Sequence, residues 1–120
     1  MYEKDLVYVI QGCVFEVFKA LGAGFLEQVY QKALLKELKD KGLNAIAEQA
    51  INVYYKGEVV GEYRADIIVE NRVLLELKAQ TTLAASAEPQ LLNYLKATGI
   101  KVGLLINFTH PKATIKRLVM

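Results

Sequence analysis

Among its 120 residues the chain holds one cysteine, Cys13, and one histidine, His110. A single cysteine excludes a disulfide within the chain and any cysteine-based zinc cluster. A single histidine excludes a multi-histidine metal site, and any serine–histidine or cysteine–histidine triad would depend on His110 alone. Long apolar runs are missing as well: no stretch approaches the ~20 residues that a membrane helix needs. The opening residues Met1 to Asp5 are mixed in charge and do not resemble a secretory leader, so a cytoplasmic protein is expected. Only two prolines and eight glycines are present, and most of the glycines fall between patterned segments. There is no linker, internal repeat or low-complexity block. Charge of one sign is scarce too: fifteen Lys+Arg against thirteen Asp+Glu leave a net +2, which neither demands nor excludes a polyanionic partner.

What is present is a globular balance, 53% hydrophobic and 23% charged, at a length that suits one domain over residues 1–120. From about Glu3 to Leu21, apolar residues recur at three- and four-residue steps, which predicts a helix. After Gly22-Ala23-Gly24, a second helix is predicted from about Leu26 to Lys41, with Gly42 just past its end. The period then becomes two. A strand is expected over Gln49–Tyr55, a turn at Lys56-Gly57, a strand over Val59–Glu70, and another over Arg72–Ala79. Ala79–Ala87 reads as a loop. Ser86 is a candidate cap for a helix from Glu88-Pro89 to about Ala97, which Gly99 ends. Val102–Phe108 is a nearly unbroken apolar run, as in an inner strand covered on both faces. Ala113–Met120 reads as a short edge strand. The class is α/β, a mixed β-sheet flanked by helices, in the order αα-βββ-α-β-β.

The informative residues are charged ones inside apolar strands: Asp66, Glu76 and Lys78. Burying a charge there is costly unless it is paired or bound to a metal. Glu76 and Lys78 are two apart on a strand and share a face. A three-residue loop centred on Asn71 would set Asp66 directly across from Glu76 on that face. A two-residue loop would put the carboxylates on opposite faces. Two carboxylates on neighbouring strands make an oxygen-rich site that suits Mg²⁺ or Mn²⁺. A lysine beside the metal could orient a water or stabilise charge on a phosphate.

Asp66 followed ten residues later by Glu76-Leu77-Lys78 resembles the D…(D/E)-x-K core of the PD-(D/E)XK nuclease superfamily. Ala65 stands where that name has proline, at a position that commonly varies. Gln90-Leu91-Leu92-Asn93-Tyr94 is similar to the Q-x-x-x-Y element of RecB-like members, and Gly24-Phe25-Leu26-Glu27-Gln28-Val29-Tyr30 to the signature of the GxxExxY proteins. The resemblance runs from about Leu21 to Phe108. It implies a restriction-endonuclease-like core and a metal-dependent nuclease that hydrolyses phosphodiester bonds of DNA with an activated water. Asp66 and Glu76 would be the main ligands of Mg²⁺ or Mn²⁺, joined by the carbonyl of Leu77, with Glu27 ligating directly or from the metal's outer shell. Lys78 would position water and phosphate, Gln90 would orient Lys78 or the substrate, and Tyr94 would support Gln90.

Plainer readings stand beside these. Asp66 and Glu76 could form a buried ion pair with Arg64 or Lys78. Tyr30 could be a core residue with a bonded hydroxyl, Cys13 a small core hydrophobe, and His110 a loop residue. Lys96, Lys101, Lys112, Lys116 and Arg117 could track phosphates or form a solvated face. Tyr54, Tyr55 and Tyr63 could stack on bases or pack across strands. The rival function is a catalytically silent module that binds nucleic acid or a partner protein. Because the first helix is apolar on more than one face, a homodimer through it is expected. So small a chain would also depend on such a dimer, or on a partner protein, for specificity.

Overall fold

The computed structural model describes residues 2–120. The spaced apolar residues at the N-terminus form two helices, α1 (Lys4–Leu21) and α2 (Glu27–Asp40). Helix α1 buries Leu6, Val7, Ile10, Cys13, Val14 and Val17; α2 buries Tyr30, Leu34 and Leu38. Gly42 follows α2 in the left-handed region, φ 81°, and its N–H donates to the carbonyl of Lys39 at 2.9 Å, so it stops the helix as its position suggests.

Five strands make one sheet in the order β1-β2-β3-β4-β5. They are β1 (Ala45–Tyr55), β2 (Glu58–Val69), β3 (Val73–Lys78), β4 (Val102–Asn107) and β5 (Thr114–Val119). Helix α3 (Ala87–Thr98) connects β3 to β4, which pair in parallel; the other three pairings are antiparallel. Every residue of β4 is buried, and β5 lies at an edge, both as the apolar pattern implies. Helices α1 and α2 pack on one face over Ile67, Val69, Leu75, Leu104 and Ile106. Helix α3 packs on the other over Ile68, Leu74 and Leu105. It comes so close that a Cβ on Gly103 of β4 would stand 2.9 Å from Leu91.

Two sequence expectations are corrected. Ser86 does not cap α3: it has helical dihedrals and no side-chain bond, and its carbonyl already accepts from the Gln90 N–H at 3.0 Å. Strand β1 begins at Ala45, four residues before Gln49. Glu48, with φ 55°, is the physical reason. The β1–β2 ladder is registered at Ala47–Ile67 and at Gln49–Ala65 and breaks between them, at Glu48 and Asp66. Beyond the break the hairpin has turned over. Ala45 and Ile67 belong to the core under α1 and α2, whereas Ile51 and Ala65, of the same parity, belong to the core under α3. No single alternation could therefore cover the strand from Ala45 to Tyr55.

Candidate active site

The β2–β3 hairpin turns through Glu70, Asn71 and Arg72, with Glu70 and Asn71 both at φ 53° and the Arg72 N–H donating to the carbonyl of Val69 at 2.9 Å. Val69–Val73, Ile68–Leu74 and Ile67–Leu75 are partners. The loop is the three-residue one, and the next step of the register sets Asp66 across from Glu76. The backbone ladder is not continued there. The Asp66 N–H donates to Oε1 of Glu76 at 3.2 Å, and the Leu77 N–H donates to Oδ2 of Asp66 at 2.7 Å. Each carboxylate thus caps an amide that the separating strands leave free. Along an extended strand the N–H and C=O of one residue point the same way. The Leu77 carbonyl therefore opens into the same gap, while the Lys78 carbonyl turns to β4 and accepts from the Phe108 N–H at 2.8 Å.

Glu76 is only 4% exposed. Burial pushes its carboxyl up to about 8, and the neighbouring Asp66 adds to the rise. Asp66 is also raised, first by burial and then by Glu48 and Glu27, against the Leu77 amide bond that favours its ionised form. The ion-pair alternative is not what the chain adopts. None of the salt bridges among the described residues involves Asp66, Glu76 or Lys78, and Arg64 instead pairs with Glu62 at 3.5 Å and donates to the Glu48 carbonyl at 3.0 Å. Two desolvated carboxylates without a protein cation must hold protons or attract an external cation.

Lys78 shares the Glu76 face, as their spacing requires. Its Nζ donates to Oε1 of Gln90 on α3 at 3.3 Å, and Nε2 of Gln90 donates to the Tyr94 hydroxyl at 3.1 Å. Gln90 and Tyr94 lie one turn apart on the face of α3 turned to the sheet. Burial raises the Tyr94 phenol, and the charge of Glu76 raises it further. Tyr63 of β2 packs on Tyr94 with ring centres 5.2 Å apart, so its aromatic ring ties the hairpin to α3.

Glu27 opens α2 and shares a recess of about 180 Å³ with Gln28, Gln31, Glu48, Asp66 and Leu77. Its approach is set by Tyr30, which is fully buried. The Tyr30 hydroxyl donates to the Gly22 carbonyl at 2.6 Å and accepts from the Phe25 N–H at 3.2 Å, and its ring stacks on Phe108 at 4.4 Å. Gly24 supports this tight loop with φ 112°, which side-chain-bearing residues rarely adopt. Gly24 and Tyr30 are thus the scaffold that aims Glu27, and the core reading of Tyr30 holds. Cys13 is buried in the same core and His110 lies in an exposed loop, as the plainer readings have it.

The donors in the gap are all oxygens: two carboxylates, the Leu77 carbonyl and, at the rim, Glu27 and Glu48. In kind they fit Mg²⁺ or Mn²⁺. Among the described residues no three His, Cys, Asp or Glu side chains stand close enough to hold a metal unaided. Asp66, Glu76, the Leu77 carbonyl and water are therefore the set that fits, in keeping with the habit of Mg²⁺ of using one or two carboxylates and retaining its waters. Glu27 sits in the recess without completing a three-acid cluster. Gln28, Gln31 and Glu48 also line this recess, and sequence reasoning passed over them. Gln31, four residues after Glu27 and so on the same helical face, was the available signal. Glu48 carried none, because it precedes the alternation.

A family model described as the PD-(D/E)XK nuclease superfamily matches residues 4–118. No curated protein matches significantly. Among solved structures, the crystal structure of SSO0001 superposes with a TM-score of 0.62 at 22% identity, over 78% of this chain and 50% of that one. The chain thus spans half the length of SSO0001. An alkaline exonuclease, LHK-Exo from Laribacter hongkongensis, superposes with a TM-score of 0.56 at 11% identity, over 91% of this chain and 68% of that one. Both likenesses are of fold. With the family model covering nearly its whole length, the chain belongs to the PD-(D/E)XK nuclease superfamily.

Proposed function

We propose that the protein is a divalent-metal-dependent nuclease that hydrolyses phosphodiester bonds, most simply those of DNA, at the gap between β2 and β3. The observation that carries this reading is the Asp66–Glu76 pair. A buried carboxylate, Glu76, and a half-buried one, Asp66, meet where the two strands part, neither is in a salt bridge among the described residues, and a lysine held by Gln90 shares the face of Glu76.

Asp66, Glu76 and the Leu77 carbonyl would hold Mg²⁺ or Mn²⁺, which when bound acidifies a water and draws charge from a phosphoryl oxygen. Glu27 faces the same recess from α2 and would hold one of the metal's waters. Lys78 offers its ammonium to the attacking water or to the charge growing on phosphate. The Gln90 carbonyl oxygen restrains the ammonium, and the Tyr94 hydroxyl fixes which way the Gln90 amide points. Water is the nucleophile, since no serine, threonine or cysteine hydroxyl or thiol belongs to the set.

The second reading, a silent module that binds nucleic acid or a partner protein, differs from the first in needing no metal at Asp66 and Glu76. The outward face of α1 carries Tyr8, Val9 and Phe15 in exposed positions, which supports a homodimer or a partner protein there.

Labelled single- and double-stranded DNA, incubated with Mg²⁺, Mn²⁺ or EDTA, separates the readings. Cleavage that needs metal and disappears in Asp66→Ala is expected. Cleavage that persists in that variant, or in EDTA, contradicts the assignment. Binding of DNA without cleavage or metal uptake favours the silent module.

A further inference from the structure

We propose that Gln31 is a positioning residue of this nuclease site: its side-chain amide joins α2, which carries Glu27, to the strand that carries Asp66 and to Glu48. The inference rests on the nuclease reading above.

Nε2 of Gln31 lies 3.0 Å from the main-chain oxygen of Asp66 and 3.0 Å from Oε1 of Glu48. A primary amide has two N–H donors, so both bonds can be made at once. The place they occupy matters. The β1–β2 ladder breaks at Glu48 and Asp66, and the β2–β3 backbone ladder stops at Ile67–Leu75. Asp66 therefore stands where support from both neighbouring strands lapses. Its N–H is taken by the Glu76 carboxylate and its carbonyl by Gln31. Side chains from two other elements substitute for the ladder at this residue.

Gln31 also decides where two acidic groups sit. It lies one turn after Glu27 on the same face of α2, and both line the recess with Asp66 and Glu48. Anchoring Gln31 to the Asp66 carbonyl fixes how far the Glu27 end of α2 stands from Asp66. Anchoring it to Glu48 keeps that carboxylate at the rim, although the residue is exposed and sits on left-handed backbone. An apolar residue at position 31 could join helix to sheet, but it could not hold a carbonyl and a carboxylate together. Groups that orient metal-binding residues are commonly worth about 10–100-fold in affinity or activity.

Gln31→Met keeps the length of the side chain and removes both donors. Mn²⁺ binding, read by the loss of the free-ion electron paramagnetic resonance signal, tests it alongside kcat and KM on DNA and thermal unfolding in EDTA. Expected are a Mn²⁺ dissociation constant raised about tenfold, a kcat lowered to a similar degree, a KM for DNA within about twofold, and an unfolding midpoint lowered by only a few degrees, for the Asp66 carbonyl left without its donor. Glu48→Ala added to Gln31→Met should cost little more, because the amide that placed Glu48 is already gone. Wild-type binding and turnover in Gln31→Met would overturn the role of Gln31 and leave the nuclease reading intact. A loss that only tracks a lowered unfolding midpoint would reduce Gln31 to a fold contact and overturn the proposal too. Failure of the wild-type protein to bind Mn²⁺ would overturn both the nuclease reading and this inference.

Discussion

Asp66 and Glu76 each bind an amide on the other's strand: Glu76 accepts from the N–H of Asp66, and Asp66 accepts from the N–H of Leu77, which follows Glu76. The two acids thereby end the β2–β3 ladder and hold it open. Structure and chemistry share the same atoms here. Each carboxylate accepts one backbone N–H through one of its oxygens, Oε1 of Glu76 and Oδ2 of Asp66.

That sharing has a consequence for stability in the absence of metal. The Glu76 carboxyl is raised from 4.5 to about 8, and Asp66 is raised as well. A carboxyl whose folded-state value is raised favours the native state when protonated. Its contribution is complete below about 4.5 and is lost as pH climbs through about 8. The metal-free protein is expected to lose unfolding free energy between pH 5 and pH 8, in ~1-unit steps of an acid titration followed by circular dichroism. Mg²⁺ or Mn²⁺ should restore it. Glu76→Gln, which mimics the protonated form, should flatten the dependence and raise the melting temperature at pH 8. A wild-type protein equally stable at both ends of that range would contradict the burial argument.

Tyr94→Phe removes the hydroxyl that orients the Gln90 amide and leaves the helix packing in place. Expected is a fall in kcat toward the lower end of the ~10–100-fold range for orienting groups, with KM unchanged. Gln90→Ala should cost at least as much, since Lys78 then loses its direct partner. Steady-state kinetics on one labelled substrate checks both, and a Gln90→Ala variant as active as wild type would remove α3 from the mechanism.

Tyr30→Phe leaves the Gly22 carbonyl and the Phe25 amide without the hydroxyl they share. Leaving partly buried polar groups unpaired costs about 1–3 kcal/mol. Chemical denaturation should show that loss, and metal binding should weaken with it, because the same loop aims Glu27.

Gly103→Ala tests how α3 is seated. The added Cβ would meet Leu91 at 2.9 Å, so α3 must lift or Leu91 must shift. Destabilisation of about 1–3 kcal/mol is expected from overpacking. A neutral effect would show that Leu91 yields freely.

Much of this was legible in the sequence. The helix periods, the doubly covered β4 and the placement of three charges in apolar strands are local patterns, and the order of elements follows from them. The loop at Asn71 decides whether Asp66 and Glu76 can meet; its sequence allows two or three residues, and the left-handed Glu70 and Asn71 make it three. What was not legible arises from the break at Glu48 and Asp66. There the hairpin turns over, so Ile51 and Ala65 bury against the opposite helix from Ala45 and Ile67. A period-two reading has no means of seeing that reversal. Gln31 and Glu48 join the recess because of it, which is why neither stood out beforehand. Ser86 misled for a simpler reason: the helix starts one residue after it and its backbone has already turned helical, leaving the side chain no amide to cap.

The most direct test of the central claim is single-turnover cleavage of labelled DNA by Lys78→Ala and Asp66→Ala, each assayed with Mn²⁺ binding measured on the same preparation. If the Asp66–Glu76 gap is a nuclease site, Lys78→Ala keeps its Mn²⁺ and cuts at least about 100-fold more slowly, within the range that positioned proton-transfer groups supply. Asp66→Ala should lose both. Cleavage at the wild-type rate by either variant would contradict the assignment of these residues to the reaction.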